Sequence, residues 1–134
     1  MPTQLWVLVG LYCVASLVHF GHNAESIPFY PNMPAWLSRD KIYLAWLGIT
    51  SVGMVGVALA IVGWRVCSAM VLALYGAFGF DALGHYALAL CSRHTLAANL
   101  SIWFEVIVGA ALVAASAWYL RSRVGAAQGR SEHG

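Results

Sequence analysis

Four long apolar blocks divide this chain, and almost every charged residue lies between them or at their ends. The blocks cover residues 5–22, 42–64, 66–91 and 96–120. Each approaches or exceeds the roughly 17 to 25 residues that cross a bilayer core of about 30 Å. In lipid only helices and closed barrels satisfy their own backbone, and no block alternates with period two, so all four are expected to be helices. The composition agrees: 61% of residues are hydrophobic and 9% are charged, where a soluble domain has about 25% charged. The fold expected is all-α: an integral membrane four-helix antiparallel bundle in one domain, residues 1–124, whose first partner is the lipid bilayer.

The connections refine this picture. Short turns after Trp64 and around Ser92-Arg93-His94 make the later helices antiparallel neighbours. Met1-Pro2-Thr3-Gln4 carries no basic residue and no small-x-small cleavage site follows the first block, so that block is expected to be a retained span. An even number of crossings puts both termini on one side. Arg65, Arg121, Arg123 and Arg130 fall on that side, against Arg39, Lys41 and Arg93 on the other, so the positive-inside rule places the termini in the cytoplasm. The loop at 23–41 is unusual. Pro28, Pro31 and Pro34 exclude a regular helix there, while Phe29, Tyr30, Met33, Trp36 and Leu37 suit a segment lying along the interface or over the bundle mouth. Small residues four apart, Gly56 with Ala60 and Ala69 with Ala73, favour close helix approach. Residues 125–134, including His133, are expected to be a disordered tail.

Ionisable groups inside a span cost at least about 2.5 to 3.5 kcal/mol near the bilayer centre, so they normally face the bundle interior. Here they are His19, His22, Asp81, His85 and Glu105, joined at the span ends by Asn23, Glu25, His94 and Asn99. Counting helical rise places all five on the half of the bundle away from the termini. His19 and His22 are three apart, and Asp81 and His85 are four apart, spacings that share one α-helical face. Two imidazoles with one or two carboxylates suffice for a divalent transition metal: zinc, iron, copper or manganese. The expected metal ligands are therefore His19, His22, Asp81, His85 and Glu105. Asp81 and Glu105 are also the candidate catalytic groups, as proton acceptors beside a metal-bound water.

Each residue also has a plainer role. His19 and His22 suit an interfacial position, Asp81 and His85 a structural pair, and Glu105 a buried hydrogen-bond donor; His94, beside Arg93 in a turn, reads as surface. Haem held by His19 and His85 is a second cofactor reading, disfavoured by the acids beside an apolar macrocycle. The competing non-enzymatic readings are an assembly subunit of a homo-oligomer or larger membrane complex, and a small proton-coupled carrier. If the site is catalytic, its substrate is small or lipophilic and enters near the interface. No basic stripe with interleaved aromatics is present, which excludes a nucleic-acid partner. In span count the chain resembles small four-helix multidrug exporters. Those rely on a glutamate within the first helix, whereas no acid precedes Glu25 here.

Overall fold

The computed structural model describes residues 1–131; His133 lies outside them. Five α-helices are present among the described residues: α1 (Thr3–Glu25), α2 (Arg39–Ile61), α3 (Arg65–Ala77), α4 (Gly84–Leu88) and α5 (Leu96–Ser131). Four stretches are long and apolar enough to cross a membrane: Thr3–Glu25, Arg39–Ile61, Arg65–Leu88 and Leu96–Arg123. Their number and order match the apolar blocks. The third, however, is not one helix. Between α3 and α4 the backbone tightens into a 3-10 helix, Phe78–Leu83, that carries Asp81.

Local chemistry accounts for the ends. Asp40 in the first turn of α2 complements the partial positive charge of a helix N-terminus. Gly63 then takes φ 90°, a conformation open to glycine at little cost, and the chain reverses directly into α3. In the first loop, Pro28 occupies the opening turn of a short 3-10 helix, Ile27–Phe29, where its missing N–H is harmless. The last helix runs on to Ser131, taking in much of the stretch expected as tail. Ala126, Ala127 and Gln128 are strong helix formers and offset the two glycines around them.

The spans form a closed ring in the order first, second, third, fourth, each antiparallel to its neighbours. Trp46 of α2 donates its indole N–H to Ser16 Oγ of α1 at 3.2 Å. Gly53 and Gly56 of α2 lie against the side chains of Tyr75 and Leu72 of α3, so the pairing runs in opposite directions. Gly76 and Gly79 meet Gly109 of α5 in the tightest backbone approach between spans. Leu5, Tyr12, Leu72, Tyr75 and Leu112 pack the half nearer the termini, while Ala82, Ile102 and Val106 pack the other.

Polarity is arranged inside out relative to a soluble domain. Ser16, His19, Asn23, Ser68, Ser101, Glu105 and Ser116 are buried, whereas Leu44, Leu47, Met54, Ile61, Met70, Leu100 and Trp118 are exposed. Exposed apolar side chains on every span cannot be explained by a soluble core, which would place them inward.

The close glycine contact gives a direct prediction. A Cβ on Gly109 would lie 2.5 Å from the Gly76 carbonyl oxygen and 3.2 Å from Tyr12 Cε2. Gly109→Ala is expected to cost about 1–3 kcal/mol through overpacking. Gly48→Ala, where a Cβ meets nothing within 4 Å, is expected to stay within about 0.5 kcal/mol. Unfolding of the two variants in mixed micelles, followed by circular dichroism, measures the difference; equal stabilities would show that the spans do not close on these glycines.

Candidate functional site

The site begins with two facing stripes. On α1, Tyr12, Ser16, His19 and Asn23 follow one another by three or four residues, and all are buried. On α5, Ala98, Ser101 and Glu105 are spaced by three and four, and all are buried. Antiparallel packing of these stripes brings His19 onto Ser101 and Glu105, and Tyr12 onto Glu105 from the other side.

Ser101 donates to the Ala98 carbonyl at 2.9 Å, and its Oγ also lies 3.3 Å from His19 Nδ1. The other ring nitrogen, His19 Nε2, faces Glu105 Oε2 at 3.9 Å. Tyr12 donates to Glu105 Oε1 over 3.5 Å, and Oε2 has no hydrogen-bond partner. Glu105 is 1% exposed and His19 2%. The arrangement is a buried acid–imidazole pair whose facing atoms stand beyond hydrogen-bond distance.

Above the pair, the first loop closes the bundle mouth. Tyr30 is 3% exposed and its hydroxyl is hydrogen-bonded with His22 Nδ1 at 2.8 Å. Its ring packs on His85, with centroids 4.8 Å apart, and on His94 at 6.2 Å. Burial holds the Tyr30 phenol above its ordinary range, with the Ser101 hydroxyl working in the opposite sense. His94 therefore does not occupy the surface position expected from its place in a turn: it is buried, and its Nδ1 faces the Leu90 carbonyl at 3.2 Å. Asn99 pins that turn, accepting from the Tyr86 hydroxyl at 2.8 Å and donating to the Cys91 carbonyl at 3.1 Å.

A crevice of about 340 Å³ opens beside the pair. The first span contributes His19, Phe20 and Asn23; the third contributes Asp81, Gly84, His85 and Leu88. Ile42 and Ala45 of α2 form the opposite wall, and Met33, Pro34 and Leu37 of the loop form the roof. The second and third spans, tightly packed at Gly53 and Gly56, part here.

Of the five residues expected to share a metal, His19 and Glu105 face each other while His22 and His85 take other partners. His19 pairs with Glu105 and Ser101, His22 with Tyr30, and His85 with Asn23, whose Nδ2 lies 3.3 Å from His85 Nε2. Asp81 is exposed on the crevice wall, which it shares with His19 and His85, and takes none of these partners. The backbone between Asp81 and His85 is 3-10 as far as Leu83 and α-helical from Gly84. Among the described residues no set of three or more His, Cys, Asp or Glu side chains is placed to hold a metal ion together. The haem arrangement fits no better. The His19 and His85 rings lie edge to face with centroids 5.2 Å apart, leaving no slot for a macrocycle between them.

Tyr12, Ser101 and Tyr30 were not among the expected site residues. The first two carry a readable signal, since Tyr12 lies two turns before His19 and Ser101 one turn before Glu105. Tyr30 carries none beyond the oddity of an apolar loop. Comparison with known protein families, curated proteins and solved structures finds no match for this chain.

Closure by Tyr30 is testable through pH. Because the buried phenol prefers its neutral form, its contribution to closure is complete below the ordinary tyrosine value of about 10 and is lost as pH rises through the raised folded-state value. Subtilisin is expected to cut the loop between Ile27 and Ser38 in the unaltered protein only above that range, and to cut Tyr30→Ala at neutral pH. Identical cleavage profiles would remove Tyr30 as the closing group.

Proposed function

We propose that this chain is an integral membrane protein, both termini cytoplasmic, that binds a small amphiphile entering sideways from the far leaflet and exchanges a proton with it through His19 and Glu105. The observation that carries this reading is the position of His19: it lines the crevice, and its Nε2 faces the buried carboxyl of Glu105. A ligand that fills the crevice would shield from solvent an acid–base pair already buried in the bundle. Such a change alters which proton arrangement is favoured, because desolvation penalises the charged form.

Membrane placement is supported by four spans of sufficient length and by apolar side chains on their outer faces. The sidedness rests on the arginines flanking the spans. Entry from the leaflet is supported by the apolar lining: Phe20, Met33, Leu37, Ile42 and Leu88 suit an alkyl chain, and the volume lies at the small end of the roughly 300 to 1,000 Å³ usual for ligand sites. Glu105 is the proton partner in this scheme, and Asp81 contributes to the crevice rather than to the pair. The metal reading is carried no further, since the expected ligands are engaged elsewhere.

Two measurements test the proposal. Gly84 borders the crevice, and a Cβ there meets nothing within 4 Å. Gly84→Phe is expected to fill the space and weaken saturable binding of dodecan-1-ol in phosphatidylcholine nanodiscs by about tenfold or more, while Gly48→Phe leaves it unchanged. Infrared difference spectra are then expected to show a change in the protonated-carboxyl band on dodecan-1-ol binding in the unaltered protein and none in Glu105→Gln. Unchanged affinity in Gly84→Phe would place the ligand elsewhere; identical carboxyl spectra with and without ligand would remove the acid–base role.

A further inference from the structure

We infer that the amphiphile taken by this crevice carries an alkylammonium head, an inference that rests on the crevice reading above and narrows it to one class of ligand. The polar atoms on the wall are mainly acceptors. Asp81 is exposed to the crevice, and among the described residues its carboxyl has neither an ion-pair nor a hydrogen-bond partner; the ion pairs found are His19 with Glu105 and Arg39 with Glu25. Asn23, 7% exposed, turns its Nδ2 to His85 and leaves Oδ1 buried without a partner.

The cations nearest in sequence do not complete the site. Arg39 is held by Glu25 at 2.8 Å, and Lys41 donates to the Trp36 carbonyl at 2.8 Å, both outside the crevice. A carboxylate bordering lipid without a counter-charge is costly, and such groups normally mark the path of a ligand or ion.

The three common kinds of amphiphile head can be ranked on this surface. A carboxylate head would meet Asp81 as a like charge. A hydroxyl brings one donor and no charge to set against the carboxylate. An ammonium brings three donors and a positive charge to Asp81, and hydrogen bonds between charged partners are the stronger kind. The alkyl tail would then lie along Phe20, Leu37 and Ile42, and the head beside His19 would have a proton of its own to exchange.

The test compares dodecylamine, dodecan-1-ol and dodecanoate, equal in chain length, for saturable binding to the full chain in phosphatidylcholine nanodiscs. Dodecylamine is expected to bind at least about tenfold more tightly than dodecan-1-ol. Asp81→Asn is expected to abolish that preference, and Asp81→Glu to restore it. Equal binding of amine and alcohol by the unaltered protein, tighter binding of dodecanoate, or a preference that survives Asp81→Asn would each overturn the head assignment and leave the crevice reading standing. A loss of alcohol binding in both Asp81 variants would assign Asp81 a structural role and also overturn the assignment. If no probe binds the unaltered protein, the crevice reading itself falls.

Discussion

The molecule depends on how closely its third and fourth spans approach at Gly76, Gly79 and Gly109. No side chain separates the backbones there, so Tyr12 of the first span can lie across both, its ring near Gly79 and Gly109 and its hydroxyl toward Glu105. Once Tyr12 is fixed, His19 follows two turns later on the same stripe and lands on Ser101 and Glu105. The acid–base pair is therefore a consequence of packing at a point with no ionisable group at all. Dense contact of this kind is the main attraction available to helices in a solvent as apolar as themselves.

The two ends of the bundle serve different purposes. In the half nearer the termini, glycines receive aromatic and leucine side chains and the interior is filled by apolar packing. In the other half the second span draws away from the third, the loop supplies a roof, and the interior is polar. The half away from the termini holds the pair of His19 and Glu105, and Asp81 stands on the crevice wall beside it.

Most of the architecture was legible in the residues. Block length and the exclusion of charge determine the number, order and approximate ends of the spans, because lipid leaves the backbone so few choices. The gathering of His19, His85 and Glu105 in one half of the bundle was also legible, since helical rise alone places them at similar depth. Their partners were less so. Spacing on a single helix cannot reveal that Ser101 and Tyr12, rather than a second carboxylate, would complete Glu105's surroundings, because that depends on which stripe faces which. The four-residue spacing of Asp81 and His85 assumed an α-helix through a stretch that winds partly as a 3-10 helix, and among the described residues no three of the expected ligands are grouped to hold an ion. His94 was misplaced for a related reason, because the side chain of a short turn can fold inward when Asn99 holds that turn against the next helix.

That 3-10 stretch sets the phase of everything after it. An α-helix advances about 100° per residue and a 3-10 helix about 120°, so over the six residues Phe78–Leu83 the difference accumulates to about 120°. The winding acts as a dial. Were these residues to relax into the α form, the short segment beyond would turn through a third of a revolution and draw inward by about 3 Å, carrying His85 off His19. The imidazole of His85 is thus positioned by the pitch of the backbone beneath it as much as by the groups it touches.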